Sequence, residues 1–221
     1  MIPGKRVLLP AVVAFLVAAC SGDQAETEIE EAPPPPPDST PTVVLETTMG
    51  RIVMELDQRA APATVTNFVR HVSQQFYKDL IFHRVRPEFM IQTGMLTSNY
   101  ERRISPAAML MNEGDNGLSN VRGAVAMARG SDPHTAKTEF FINVDDNPQL
   151  DTTEETWGYC VFGRVIEGID VVDRIRVVPT RDRGTRESVP VEAIVIDTAY
   201  IATDESEWAD TTAAEEGAGG V

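Results

Sequence analysis

Two kinds of residue are scarce in this chain, and each shortage excludes something. There are only 2 cysteines, Cys20 and Cys160, and 3 histidines in 221 residues. His71, His83 and His134 have no ligand spacing among themselves, so no metal site is expected. Basic residues are few as well: 19 Lys and Arg stand against 34 Asp and Glu, a formal charge of −15. That balance argues against nucleic acid or an anionic membrane surface as a partner and favours simple solubility. The one apolar run near the start, Val7 to Val17, is too short to cross a bilayer as a mature helix.

The ends are informative. Lys5 and Arg6, the apolar run, and small residues up to Ala19 have the layout of a signal peptide over residues 1–19. The sequence Val17-Ala18-Ala19-Cys20 resembles the lipobox of bacterial lipoproteins, which implies Cys20 as the lipidated first residue of the mature chain. Removal of the signal peptide with Lys5 and Arg6 leaves 17 basic against 34 acidic residues, a formal charge of −17. Cys160 then has no disulfide partner and is expected to be a small buried hydrophobe. Residues 20–42, with Glu26, Glu28, Glu30, Glu31 and the prolines 33 to 37, cannot bury enough apolar surface to offset ordering entropy and are expected to be a tether. The prolines could also serve as a ligand for a proline-binding domain or as the protein's own substrate. Residues 204–221, acidic and then rich in Gly and Ala, read as a tail without fixed structure.

Residues 43–203 remain, enough for one core. Val43 to Thr47 and Arg51 to Leu56 read as a hairpin turned by Thr48-Met49-Gly50. Pro62 opens a helix carrying Val65, Phe68, Val69 and Val72 at helical spacing, and a short helix is expected from Ile169 to Ile175. Strand-like runs follow at Leu80 to Arg84, Phe89 to Thr93, Ala124 to Ala128, Phe140 to Val144, Tyr159 to Val165 and Val191 to Ile201. Many strands with two helices suggest an antiparallel architecture, sandwich or barrel.

Chemistry concentrates in the run from Phe82 to Gly94, FHRVRPEFMIQTG, where Arg84 and Gln92 stand among large apolar side chains. A strand buried on both faces should lack the arginine, so the segment reads as the wall of an apolar pocket holding a fixed hydrogen-bond donor. Together with NGLSN-RG-VAMAR (residues 116–129), TEFFI (138–142) and GYCVFG (158–163), it resembles the bacterial branch of the cyclophilin family over roughly Val43 to Tyr200. The resemblance implies a mainly β fold, a closed eight-stranded antiparallel barrel capped by two helices with the active groove on its outer wall. It also implies peptidyl-prolyl cis-trans isomerisation without any cofactor, acting on proline-containing peptides and on unfolded or folded envelope proteins. Arg84 matches the catalytic arginine. Phe89, Met90, Phe141, Leu150 and Tyr159 match the proline pocket, Gln92 a donor to a substrate carbonyl, and the main chain at Ala128 and Arg129 a partner for the substrate backbone.

Two positions depart from the family pattern: Glu139 stands where glutamine is usual, and Gln149 where many members carry an aromatic lid. The location expected is the periplasmic side of a bacterial cell envelope, reached through a lipid anchor alone, and the state expected is a monomer. The rival reading is a proline-peptide binding module or chaperone on the same barrel. A scaffold exposing its acidic tail rests on composition alone.

Lipidation at Cys20 can be checked by fractionation. The native protein is expected with the membranes, and Cys20→Ala is expected in the soluble fraction or unprocessed. Soluble wild-type protein with an unmodified Cys20 would refute the anchor and leave the rest of the reading untouched.

Overall fold

The turn Thr48-Met49 lets the chain reverse at once between β1 (Thr42–Thr47) and β2 (Gly50–Leu56). Gly50 takes φ +122°, and the Thr47 hydroxyl donates to Gly50 O and accepts from Met49 N–H. The computed structural model describes residues 40–203. The proposed leader, Cys20, most of the tether, and the tail lie outside the described residues. Thr42, assigned to the tether by composition, is the first residue of β1.

After β2 the elements are α1 (Pro62–Ser73), β3 (Arg84–Arg86), β4 (Met90–Thr93), β5 (Ala124–Met127), β6 (Phe140–Asn143), a 3₁₀ turn (Pro148–Leu150), β7 (Val161–Glu167), α2 (Ile169–Arg176), β8 (Thr180–Arg183), β9 (Arg186–Pro190) and β10 (Ile196–Ala202). Eight strands form one antiparallel sheet in the order β10-β1-β2-β7-β5-β6-β4-β3, while β8 and β9 form a separate hairpin. The large sheet curls into a half-barrel.

The closed barrel implied by the resemblance is corrected here: no ladder joins β3 to β10. The run Leu80 to Arg84 is not a continuous strand. Residues 79–82 instead stitch the gap irregularly, with Asp79 N–H donating to Ile196 O, Ile196 N–H to Leu80 O and Phe82 N–H to Ile194 O. The same few residues also meet the chain beyond β4, where Ile81 N–H donates to Leu96 O, so their backbone groups are divided between two neighbours and cannot extend either ladder.

Alternation along β4, β5 and β6 sends side chains to two different apolar clusters. Ile91, Val125, Phe140 and Ile142 face the main core, where Phe68 of α1 lies 5.0 Å from Tyr77 and 5.1 Å from Phe140 and Phe162, ring centroid to centroid. Met90, Ala126 and Phe141 face a smaller outer cluster with Ala124 and Val161. Helix α1 presents Val65, Phe68, Val69 and Val72 to the core, as its spacing predicts. Cys160 is buried and free, and its thiol is pushed up to about 11 by desolvation foremost.

Helix α1 has no side-chain cap of its own at Ala61. The carboxylate of Glu113 serves from a distant loop, accepting from Ala63 N–H at 3.0 Å, Thr64 N–H at 2.8 Å and the Thr64 hydroxyl at 2.7 Å. It satisfies two of the free amides of the first turn and places negative charge at the positive end of the helix. Glu113→Ala is therefore expected to cost about 1 kcal/mol and to lower the melting temperature by about 2–4 °C. An unchanged melting curve would show that water replaces the carboxylate without loss.

Candidate functional site

Arg84 opens β3, and its cross-strand partner on β4 is Gln92. Gln92 in turn pairs with Phe141 of β6, and Phe141 with Ala126 of β5. Because side chains alternate along each strand, this register carries Gln92, Met90 and Phe141 to the outer face, beside Arg84. Phe89 enters from the β3–β4 turn, closed by Phe89 N–H donating to Arg86 O at 3.0 Å. Leu150 ends the 3₁₀ turn, and Tyr159 N–H donates to Leu150 O at 2.8 Å, which brings both side chains to the same place.

The result is a cavity of about 160 Å³ lined by Arg84, Phe89, Met90, Gln92, Ala128, Arg129, Phe141, Leu150 and Tyr159. These are the residues that the sequence motifs single out, brought together from five separate segments. The volume is below the roughly 300–1,000 Å³ of sites for drug-sized ligands and suits a single side-chain ring. An adjoining groove of about 690 Å³ shares Gln92, Ala128 and Arg129 and continues between the 102–109 and 128–139 segments, giving an extended chain somewhere to lie.

Arg84 is half-buried, and among the described residues its guanidinium has no hydrogen-bonded partner. Burial foremost, and then the charge of Arg86, lower its pKa, with Glu187 and Tyr159 acting the other way. A guanidinium nevertheless stays charged at neutral pH and cannot act as a base. It is a fixed donor at the rim of an apolar cavity.

The main chain also leaves groups for a ligand. Ala128 N–H already donates to Glu139 O at 2.9 Å, and among the described residues the Ala128 carbonyl and the Arg129 N–H have no backbone partner. Gln149 is exposed, donates to Asn147 Oδ1 at 3.1 Å and does not line the cavity, consistent with a missing lid.

Some contributors escape a motif reading. Asn120, Asn143 and Asn147, all buried, form a network behind the cavity. Asn147 Nδ2 donates to Phe89 O and to Asn143 Oδ1, both at 2.8 Å, and Asn143 Nδ2 donates to Asn120 Oδ1 at 3.2 Å. Asn120 donates through its backbone and side chain to Asp151 Oδ1 at 2.7 and 2.9 Å, next to Leu150. Arg129 also acts through its side chain: it donates to Trp157 O at 2.6 Å, and its guanidinium lies 4.6 Å from the Tyr159 ring centroid. Tyr159 then meets Phe141 edge to face at 5.6 Å. The available sequence signal was three asparagines beside otherwise apolar strands, which reads equally well as turn chemistry.

Glu139 lies in the adjoining groove. Its carboxylate accepts from Gln92 Nε2 at 3.1 Å, with His83 Nε2 at 3.6 Å and Arg102 at 3.7 Å. His83 is buried and does not line the cavity, but its ring does not simply face away as its place before Arg84 implies: it approaches the same Glu139 oxygen that Gln92 bonds. Burial pushes the Glu139 carboxyl up, but the hydrogen bond and charge of His83, with Gln92 and Arg102, outweigh it and hold the group below its ordinary 4.5.

Residues 42–201 match the family described as cyclophilin type peptidyl-prolyl cis-trans isomerase/CLD. The chain is 50% identical over 163 residues to the peptidyl-prolyl cis-trans isomerase cyp18 of Streptomyces antibioticus, covering 72% of this chain and 98% of that protein. It is 40% identical over 197 residues to peptidyl-prolyl cis-trans isomerase A of Dickeya dadantii, covering 89% and 97%. Among solved structures, a Cryptosporidium parvum cyclophilin type peptidyl-prolyl cis-trans isomerase, crystallised in the presence of the dipeptide ala-pro, superposes with a TM-score of 0.62 at 25% identity, covering 74% of this chain and 99% of that one.

The depressed value of Glu139 sets a pH dependence. A carboxyl whose folded value lies below its unfolded value contributes stability above the unfolded value, and loses it as the pH falls through the folded one. Wild type is therefore expected to be more stable than Glu139→Gln at pH 7, with the gap closing as the pH drops below about 4.5. Denaturant titrations of both proteins across that range check it. A gap that is constant with pH would remove the charge from the account.

Proposed function

The chain belongs to the cyclophilin-type peptidyl-prolyl cis-trans isomerases, and from that premise we propose that Arg84 and the cavity beside it form the active site. The protein is a peptidyl-prolyl isomerase. The bond to be rotated has partial double-bond character and a barrier of about 18–20 kcal/mol, so uncatalysed exchange takes tens to hundreds of seconds. Bringing it to milliseconds requires roughly five decades, or about 7 kcal/mol.

No covalent chemistry is needed for this. In the planar amide the nitrogen lone pair is delocalised into the carbonyl; at the twisted midpoint it is localised and can accept a hydrogen bond. A donor placed at that nitrogen stabilises the twisted state more than either planar isomer. The observation that carries the proposal is the Arg84 guanidinium, charged, half-buried and, among the described residues, without a hydrogen-bonded partner at the rim of the apolar cavity. A partnered arginine would have to break a bond before it could serve, whereas this one needs no rearrangement.

Phe89, Met90, Phe141, Leu150 and Tyr159 hold the proline ring while the preceding segment rotates. Gln92 Nε2 keeps one hydrogen beyond its bond to Glu139 for a substrate carbonyl, and the Ala128 carbonyl and the Arg129 N–H pair with the substrate backbone. Backbone pairing fixes direction without reading side chains, which suits an enzyme that accepts many peptides. Supported by Lys5, Arg6, the apolar run and Cys20, we place the enzyme on a lipid anchor in the cell envelope, acting there on folding or folded proteins.

Arg84→Ala is expected to lower kcat on a short proline peptide by at least about tenfold, with KM and melting temperature much less affected, because the lost contact belongs to the transition state. Wild-type turnover in the variant would end the electrostatic proposal.

A further inference from the structure

Some of the described arginines of this acidic chain have a carboxylate within salt-bridge reach, Arg102 with Glu139 among them. Arg51, Arg122, Arg164, Arg174 and Arg176 form salt bridges at 2.5 to 3.3 Å. A different group does not. Among the described residues no carboxylate lies within 4.0 Å of Arg86 on β3, or of Arg181, Arg183 and Arg186 on the β8–β9 hairpin.

Arg86 adjoins the proline cavity, and the hairpin that carries the other three packs against its strand. Arg86 is two residues beyond Arg84, on the same face of β3, and its guanidinium lies 5.6 Å from the ring centroid of Phe89. Strand β9 packs against β3, and Glu187 of β9 is near enough to affect the ionisation of Arg84. Arg183 extends over the Tyr100 ring at 3.8 Å.

The arrangement has a cost within the fold. Arg183 and Arg186 are direct cross-strand partners, and like charges placed opposite one another destabilise a hairpin. The two acidic residues of the hairpin do not neutralise them: the Asp182 carboxylate accepts from Ser188 N–H, and Glu187 forms no salt bridge. All three hairpin arginines are exposed. An unneutralised like-charge pair beside a binding cavity has a use if the counter-charge arrives with the ligand.

We propose that Arg86, Arg181, Arg183 and Arg186 select proline peptides carrying acidic side chains within two residues of the proline; this rests on the isomerase reading above. The overall charge of −15 does not oppose it. At about 0.1 M salt the screening length is about 10 Å, so a bound peptide responds to the charges near it: besides these arginines, the adjoining groove holds Asp132 and Glu139 against Arg102, Arg103, Arg129 and Lys137. The same screening makes the selection sensitive to salt.

The test uses the full chain and three peptides of the form Xaa-Ala-Pro-Xaa in which both flanking residues are Glu, Ala or Lys. At about 0.02 M salt kcat/KM is expected to fall in the order Glu, Ala, Lys, with at least about a tenfold spread between the extremes, carried by KM. The Glu-to-Lys ratio should fall to within about twofold at about 1 M salt. It should fall similarly in the triple variant Arg181→Gln, Arg183→Gln, Arg186→Gln. The ratio is internal to each protein, so a general loss of activity in the variant does not imitate the result. Equal rates for the Glu and Lys peptides in wild type, or a preference that survives in the triple variant, would overturn the inference while leaving the isomerase reading in place. No catalysed rate with any of the peptides would overturn that reading and this inference with it.

Discussion

Two-sided burial of β4, β5 and β6 is the constraint on which everything else depends. Each strand is only four residues long, yet its alternate positions belong to different apolar bodies: Ile91, Val125 and Ile142 to the main core, Met90, Ala126 and Phe141 to the outer wall. A slip of one residue in any pairing would exchange these sets, putting a cavity wall in the core and a core residue in the cavity. Register, core and site are thus specified together. The same short strands carry Gln92, and through their pairing they fix Arg84 opposite it.

Around that frame, polar groups hold what apolar packing cannot direct. The asparagine network ties the main chain at Phe89 to the loop before Leu150, and Arg129 fastens the loop that carries Tyr159. Buried amides of this kind are costly unless satisfied, and those of Asn120, Asn143 and Asn147 all have partners. Arg84 is the opposite case. It keeps its donors unspent, and burial makes each worth more than it would be in water.

How legible this was in the sequence depended on burial. The β1–β2 hairpin, α1 and α2 carry clear apolar periodicity and lie within a residue or two of where the pattern puts them. The cavity residues were legible through four ordered motifs, since their mixture of arginine, amide and large apolar side chains is unusual for a strand. The β8–β9 hairpin was not, because TRDR, Arg186 and Glu187 are exposed and have no apolar alternation to distinguish a strand from a loop. Closure of the barrel was overestimated because Leu80, Ile81 and Phe82 are buried and strand-like in composition, although their backbone bonds are split between two neighbours. Val191 to Val195 failed for a different reason: of these five only Ile194 is buried, and the ladder begins at Ile196. Composition reports burial, and burial does not by itself say with whom a backbone pairs.

The first strand of the sheet pairs on one side with the last: Thr42 lies opposite Ala202, and Leu45 opposite Ala199. Nearly the whole domain must therefore be synthesised before β1 can gain its second neighbour, and the pairing closes a loop of most of the chain. Such distant contacts repay their entropy late, which puts this protein among slow folders for its size. Until then one edge of β1 lacks its partner strand and is open to pairing with other chains. An enzyme that speeds the folding of others is itself built in a topology that leaves a nascent chain exposed until its final strand arrives.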